Sequence, residues 1–227
     1  MKKIILSLLL LSYSFSTASA IGINLGVSVT GGVFEAKGAK EEFKGAHMGG
    51  TSPGTVTKNT QGQDEAEGDF VLGSLFIEKT LGDRFAIGLD YVSHSADTET
   101  SENTQTTSTS SATGVNKVQV DFEDLTTLYA TFSFTESIYV KAGVSSVDVI
   151  TNEVLATGGS YGNTSLDGTV FGIGYNKDLD SGTFVRLEAN YMDFDGATLT
   201  NTADTTKSVT ADGFDGYGAR ISIGKSF

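Results

Sequence analysis

The sequence contains no cysteine, no tryptophan and only one proline. Without cysteine the fold cannot rely on disulfide bonds. Basic residues are also scarce: 15 lysines and arginines stand against 28 aspartates and glutamates, giving a net charge of −13. A nucleic-acid-binding surface would be basic, so this balance argues against such a partner. The abundant residues are 28 glycines, 14 phenylalanines and 8 tyrosines, a mixture that favours an all-β chain with tight turns.

The first 20 residues have the pattern of a secretory signal peptide. Lys2 and Lys3 precede an apolar run over residues 4–11, and the segment ends in Ala18-Ser19-Ala20. We expect residues 1–20 to be removed on export, and residues 21–227 to form one domain. An uncleaved membrane anchor is the alternative, but this run is too short for a spanning helix, which needs about 20 apolar residues.

Eight later segments alternate apolar with small or polar residues, which predicts β-strands with two different faces. In the second segment Val71, Leu75 and Ile77 share one face, but the other face is also partly apolar, so its orientation stays open. The segments are Ile21–Phe34, Asp69–Lys79, Arg84–His94, Val118–Phe134, Ile138–Ile150, Thr169–Lys177, Phe184–Phe194 and Tyr217–Phe227.

The connections between these segments alternate between short and long. Three are short ("TLGD", "TES" and "DLDSG"), and four are long and polar, including the tract "DTETSENTQTTSTSSATG". In an up-and-down meander, successive connections lie at opposite ends. The long loops are therefore predicted at one end and the short turns at the other. The long loops cover roughly residues 36–68, 95–117, 151–168 and 196–212.

Alternation alone does not show whether the apolar face of the barrel points inward or outward. A soluble lipocalin-type barrel also has eight strands, and its apolar face lines the cavity. Two further features favour an apolar exterior in a membrane. The other face consists of glycine, serine, asparagine and a few charges, as a narrow lumen would require. Aromatic residues gather at segment ends, as in the girdles of membrane barrels. The sequence thus predicts an all-β, transmembrane, eight-stranded antiparallel up-and-down β-barrel.

The last segment, "YGARISIGKSF", continues the alternation to Phe227. Since the last strand of a closed barrel pairs with the first, we expect it to be the closing strand. Tyr217, Ile221, Ile223 and Phe227 resemble the assembly signal of bacterial outer-membrane proteins. Lys225 departs from that pattern, because the family usually has an apolar residue there.

The eight segments and this closing strand resemble the small eight-stranded outer-membrane barrels, which include OmpA-like transmembrane domains and Opa-type surface proteins. The resemblance implies a location in the outer membrane, contact with its lipids and lipopolysaccharide, and insertion by the barrel assembly machinery. It also implies a monomer with no cofactor.

Six charged residues are predicted on the lumen face. We expect them to form ion pairs that plug the barrel, because an eight-stranded barrel is just wide enough to be filled by side chains. A narrow pore is the alternative for the same residues. The six are Arg84, Asp90, Lys141, Arg186, Glu188 and Arg220.

Other candidate sites are weaker. His94 lies between Ser93 and Ser95, and serine hydrolysis needs a base within hydrogen-bond reach of the nucleophile. No nucleophile elbow accompanies His94, and His47 lies in a loop. Aspartates at loop ends (Asp193, Asp195, Asp212 and Asp215) favour turns over calcium ligands, because the full calcium-loop spacing is missing. We expect no catalytic, metal-binding or cofactor-binding residue.

The expected function is structural or surface-interacting, through four long extracellular loops and an unidentified ligand. A narrow porin or small-solute transporter is the first alternative, and an outer-membrane lipid-modifying enzyme is the second.

Overall fold

The computed structural model describes residues 22–36, 39–44, 56–63, 66–106, 113–156, 158–205 and 207–227. No helix within these ranges is long and apolar enough to cross a membrane. The strands are β1 (Ile23–Ala36), β2 (Ala39–Lys44), β3 (Val56–Gln63), β4 (Ala66–Leu81), β5 (Phe85–Val92), β6 (Ala96–Asp97), β7 (Ser101–Thr106), β8 (Thr113–Ser133), β9 (Ile138–Val154), β10 (Thr164–Asp178), β11 (Thr183–Phe194), β12 (Ala197–Thr200), β13 (Lys207–Ala211) and β14 (Phe214–Ser226).

Eight of these strands form a closed antiparallel barrel. Its order is β5-β4-β1-β14-β11-β10-β9-β8, and the pairing of β8 with β5 completes the ring. Each barrel strand overlaps one of the eight alternating segments. The predicted eight-stranded antiparallel barrel is therefore confirmed.

The three short connections lie at one end, called here the short-turn end. Gly82 (φ 66°) turns the chain between β4 and β5, and Ser181 and Gly182 (φ 65° and 76°) turn it between β10 and β11. Between β8 and β9, the Thr135 hydroxyl accepts the backbone N–H groups of Ser137 and Ile138. These local hydrogen bonds and left-handed residues explain why the turns can be so short.

The first and last strands close the barrel at the same end. β1 and β14 pair without interruption from Asn24 opposite Ser226 to Ala36 opposite Phe214. Beyond that register, Ile23 and Phe227 exchange two backbone hydrogen bonds of 3.2 and 2.9 Å. The predicted closing role of the last segment is thus confirmed, and Phe227 belongs to the seam.

The opposite end, called here the long-loop end, is more ordered than the sequence indicated. β6 and β7 continue the barrel wall along β8. A second sheet of order β12-β13-β2-β3 joins the first and fourth long loops. Asn201, which is 2% exposed, ties the third loop to the fourth by donating to the Gly158 carbonyl. The long loops therefore contain strands that the alternation of the sequence did not predict.

A bulge in β8 changes which residues face inward. Asp124 and Leu125 lie opposite the single residue Val147, and Asp124 has a left-handed backbone (φ 53°). Alternation reverses at such an extra residue. The even spacing of Phe122 and Leu128 within the alternating segment Val118–Phe134 predicts that they share one face. Phe122 instead packs inside the barrel against Phe214, with ring centroids 5.5 Å apart.

The barrel interior is apolar near the long-loop end. Val147, Val149, Leu166 and Phe194 are all buried there in one cluster. On the outside at the same level, Ser165 is exposed and donates a hydrogen bond to Asp148. An apolar interior inside a polar exterior is the arrangement of a water-exposed domain, so this end of the wall is exposed to water.

Candidate functional site

Below this cluster, the polarity of the wall is the reverse. The outward side chains are apolar and exposed: Val71 is 72% exposed, Leu75 58% and Ile221 54%. This pattern settles the orientation of β4, the strand whose phase the sequence left open. Side chains this apolar on the outside of a closed barrel match the lipid-facing band of membrane barrels.

Aromatic residues border the band at both levels. Tyr191 and Tyr217 pack together near the long-loop end, with ring centroids 5.2 Å apart. Phe85, Phe132 and Phe134 pack in a row at the short-turn end. Along β14, ten residues separate Tyr217 from Phe227. At ~3.3 Å per residue and a tilt of ~40° this gives a height of about 25 Å, the usual height of the apolar band.

Inside the band, Glu78 binds the guanidinium of Arg186. Arg186 donates Nη1 to Oε1 (2.5 Å) and Nη2 to Oε2 (2.8 Å) of Glu78, whose side chain is 0% exposed. Asn24 and Tyr129 donate two further hydrogen bonds to the same carboxylate. This bidentate pair therefore satisfies both oxygens of a carboxylate that no solvent reaches.

A second ion pair joins β9 to β11. Lys141 Nζ lies 2.9 Å from Glu188 Oε1, and both side chains are 5% exposed. The Tyr139 hydroxyl donates to the other oxygen of Glu188 at 2.9 Å. Lys141 also lies 4.6 Å from the centre of the Tyr129 ring, so the two pairs share a continuous network.

The third pair joins β14 to β5. Arg220 donates to the carboxylate of Asp90, and Ser74 donates to the same carboxylate at 3.0 Å. Ser28 and Ser74 share a hydroxyl hydrogen bond of 2.6 Å. The three cations and three anions of these pairs balance, as burial of charge in a narrow lumen demands.

Aromatic rings fill the remaining space because glycines lie beside them on neighbouring strands. A side chain at Gly224 would meet the Phe184 ring at 2.3 Å, and one at Gly174 would meet the Tyr139 ring at 2.3 Å. Gly26 stands in the same relation to Phe76, and Gly88 to Tyr129. The cavity left among these rings and charges holds about 10 Å³, the lower limit for a single water.

Five of the six predicted lumen charges lie in this network: Asp90, Lys141, Arg186, Glu188 and Arg220. The placement of Arg84 was wrong, because it lies exposed in the turn between β4 and β5. Sequence reasoning missed Glu78, the partner of Arg186, because the phase of its strand was ambiguous. The even-numbered positions Ser74, Phe76 and Glu78 carry the signal that could have found it.

The weaker candidates do not converge on a site. His94 is exposed beside Gly73 and forms no hydrogen bond to a hydroxyl within the described ranges. Asp193 and Asp215 lie opposite each other on outward faces, while Asp195 and Asp212 are exposed at loop roots. In the described part of the chain, no three acidic or histidine side chains are grouped as a metal site. His47 lies outside the described residues.

No family model matches the chain, and no curated protein matches it. The fold is similar to the outer membrane protein OprG from Pseudomonas aeruginosa, with a TM-score of 0.53 at 11% identity, covering 92% of this chain and 96% of that one.

Two further solved structures show lower TM-scores. Ail, the attachment invasion locus protein of Yersinia pestis, scores 0.36 at 10% identity, covering 90% of this chain and 99% of that one. The outer membrane protein AlkL scores 0.44 at 16% identity, covering 94% of each.

The closed register, the apolar exterior band and the fold shared with OprG show that the chain is an eight-stranded transmembrane β-barrel of the outer-membrane type.

Proposed function

We propose that the protein is a non-conducting outer-membrane barrel that presents a structured surface outside the cell. The observation that carries this proposal is the sealed lumen. Three balanced ion pairs and their aromatic neighbours line a cavity of only about 10 Å³ at membrane depth. On this proposal the ion pairs and rings block the passage of a solute along the axis, and the part of the molecule that contacts partners is its long-loop end.

The ordered long-loop end supports a role in contact. The β2–β13 pairing joins the first and fourth loops, and Asn201 joins the fourth to the third. A pre-ordered surface loses less conformational entropy on binding than flexible loops would. Outward carboxylates of Glu35, Glu67, Asp193 and Asp215 lie in one register across four strands. This acidic row favours partners that bring positive charge, including divalent ions held by lipopolysaccharide phosphates.

Planar-bilayer recording tests the sealed lumen. The wild-type protein should give no steady conductance. The double variant Glu78→Ala/Arg186→Ala removes the bidentate ion pair and should give a steady conductance. That conductance would also show that folded barrels enter the bilayer under these conditions. A steady wild-type channel would replace this proposal with a narrow porin.

The orientation needs its own experiment. An epitope tag between Thr106 and Ser111 should be reached by antibody on intact cells, because we place the long loops outside. A tag accessible only after permeabilisation would reverse the orientation and remove the surface role.

One observation favours a transporter as a second candidate. β5 ends at Val92, so residues 67–73 of β4 have a strand partner only on the β1 side, among the described residues. Beside this unpaired edge of β4, the inward side chains of Phe70 and Leu72 present apolar surface. An apolar solute could leave sideways there. A disulfide between Gly73→Cys and His94→Cys should then stop uptake of an apolar dye, while unchanged uptake would exclude the route.

A further inference from the structure

The lipid-facing surface is not uniform, because a shallow groove interrupts it. The groove crosses β9, β10, β11 and β14 and has a volume of about 530 Å³. Its floor is the in-register pair Ala189 and Ala219. Its walls are formed by larger outward side chains, chiefly Ile138, Ile173, Tyr175 and Leu187.

The chemistry of the walls points to a hydrocarbon occupant. Ile173 and Leu187 are 57% and 55% exposed, and the outward side chains of the lining are apolar apart from the Tyr175 hydroxyl. Glu188 and Arg220 also border the groove, but their charged groups are paired in the lumen network. The groove lies within the apolar band, where the surrounding solvent is lipid chains rather than water. Its volume falls within the ~300–1,000 Å³ of sites that hold small molecules. An ordered acyl chain fits such a recess, because an unfilled void forfeits dispersion contacts.

A charged side chain at one end of the groove indicates the head group. The groove descends from Ala219 to Tyr175 and Ile138, which lie opposite each other near the short-turn end. Two residues beyond Tyr175, Lys177 is exposed on the same outward face. Lys177 forms no ion pair among the described residues, and the adjacent carboxylate of Asp178 accepts a hydrogen bond from Asn176. Lys225 is also outward, two strands away.

We propose that this groove binds one anionic phospholipid, with an acyl chain over Ala189 and Ala219 and the phosphate beside Lys177. The site is independent of any surface ligand, since it lies on the lipid-facing wall. Phosphatidylglycerol carries a net negative charge and phosphatidylethanolamine carries none, so the two lipids separate the contribution of Lys177 from that of the groove.

Native mass spectrometry of the full-length protein, released from micelles with either lipid added, tests the proposal. The wild type should retain one phosphatidylglycerol. Ala189→Leu and Ala219→Leu fill the groove and should lower retention about tenfold or more, a loss of ~1.4 kcal/mol. Ala142→Leu is the matched control, because Ala142 is outward beside Ala130 but outside the groove, and it should retain lipid normally. Heat-modifiable gel migration checks that each variant is folded.

Lys177→Gln should reduce the preference for phosphatidylglycerol over phosphatidylethanolamine while still allowing one bound lipid. Equal retention by the groove variants and by Ala142→Leu would overturn the proposal. A wild-type dimer that Ala189→Leu converts to a monomer would also overturn it, because the groove would then hold a second copy of the chain.

Discussion

At the scale of single residues, the lumen is determined by which side chains lie opposite each other on neighbouring strands. Each large ring has a glycine beside it, as Phe76 has Gly26 and Phe184 has Gly224. Each buried cation has a carboxylate within reach. The many glycines of this chain are therefore a requirement of packing in a narrow barrel, as well as of its turns.

Glu78 is the residue whose loss should cost most. Glu78→Gln leaves the buried Arg186 guanidinium without a charged partner, which costs about 3–5 kcal/mol in other buried pairs. Urea titration of the protein in phospholipid vesicles would measure this loss. Glu102→Gln is the control, since Glu102 pairs with Lys117 on the exposed surface and its removal should change nothing measurable. Equal midpoints for both variants would contradict a stabilising network.

Two glycines on β1 provide a test of packing. At Gly26 an added methyl group would lie 2.3 Å from the Phe76 ring, whereas at Gly31 it would meet no atom within 4 Å. Gly26→Ala should therefore destabilise the barrel by about 1–3 kcal/mol, the usual cost of overpacking. Gly31→Ala should leave the unfolding midpoint unchanged. The reverse order would mean that β1 faces the other way.

At the scale of strands, alternation predicted the membrane-spanning part of the barrel well and the strands at the long-loop end poorly. The regular segments, such as Tyr217–Phe227, were placed with the correct face outward. A strand with a two-residue period has only two faces, and only one of them is apolar. Phe122 was misplaced because a single inserted residue at Asp124 reverses the phase, and composition carries no signal of that insertion. β13 and β2 were missed because they are short and polar, and they pair with each other across two loops that are far apart in the sequence.

The closing strand carries a prediction about assembly. Phe227 is 69% exposed and its backbone bonds with Ile23. Deleting it should lower the yield in outer membranes strongly but leave refolding in detergent nearly intact, because full burial of a phenylalanine is worth only about 1.5–3 kcal/mol. Such a difference would identify Phe227 as a signal that the assembly machinery recognises before the barrel closes. Equal losses in the two assays would make it only an interface anchor.

Lys225→Tyr gives the opposite test for the same strand. Lys225 faces outward with its amine 5.7 Å from the centre of the Phe227 ring. An aromatic residue there restores the usual apolar pattern, so the cellular yield should hold or rise. A loss of assembly would mean that Lys225 is required at this position.

At the scale of the whole molecule, polarity reverses along the barrel axis. Within the band the outside is apolar and the inside is charged, while toward the long-loop end the inside is apolar around Val147 and the outside is polar around Asp148. β9 and β10 thus run from lipid to water as continuous strands. This reversal limits the band to a defined height and leaves the long-loop end as a water-exposed domain.

The most direct test of this account is spin-label accessibility in phospholipid vesicles, which the absence of native cysteine makes simple. Labels at Val27→Cys, Leu187→Cys and Ile221→Cys should collide with dissolved oxygen and be shielded from a water-soluble nickel complex. A label at Ser165→Cys, outward but above the band, should show the opposite. If all four labels are reached by the nickel complex, the apolar face does not contact lipid and the membrane-spanning barrel is wrong.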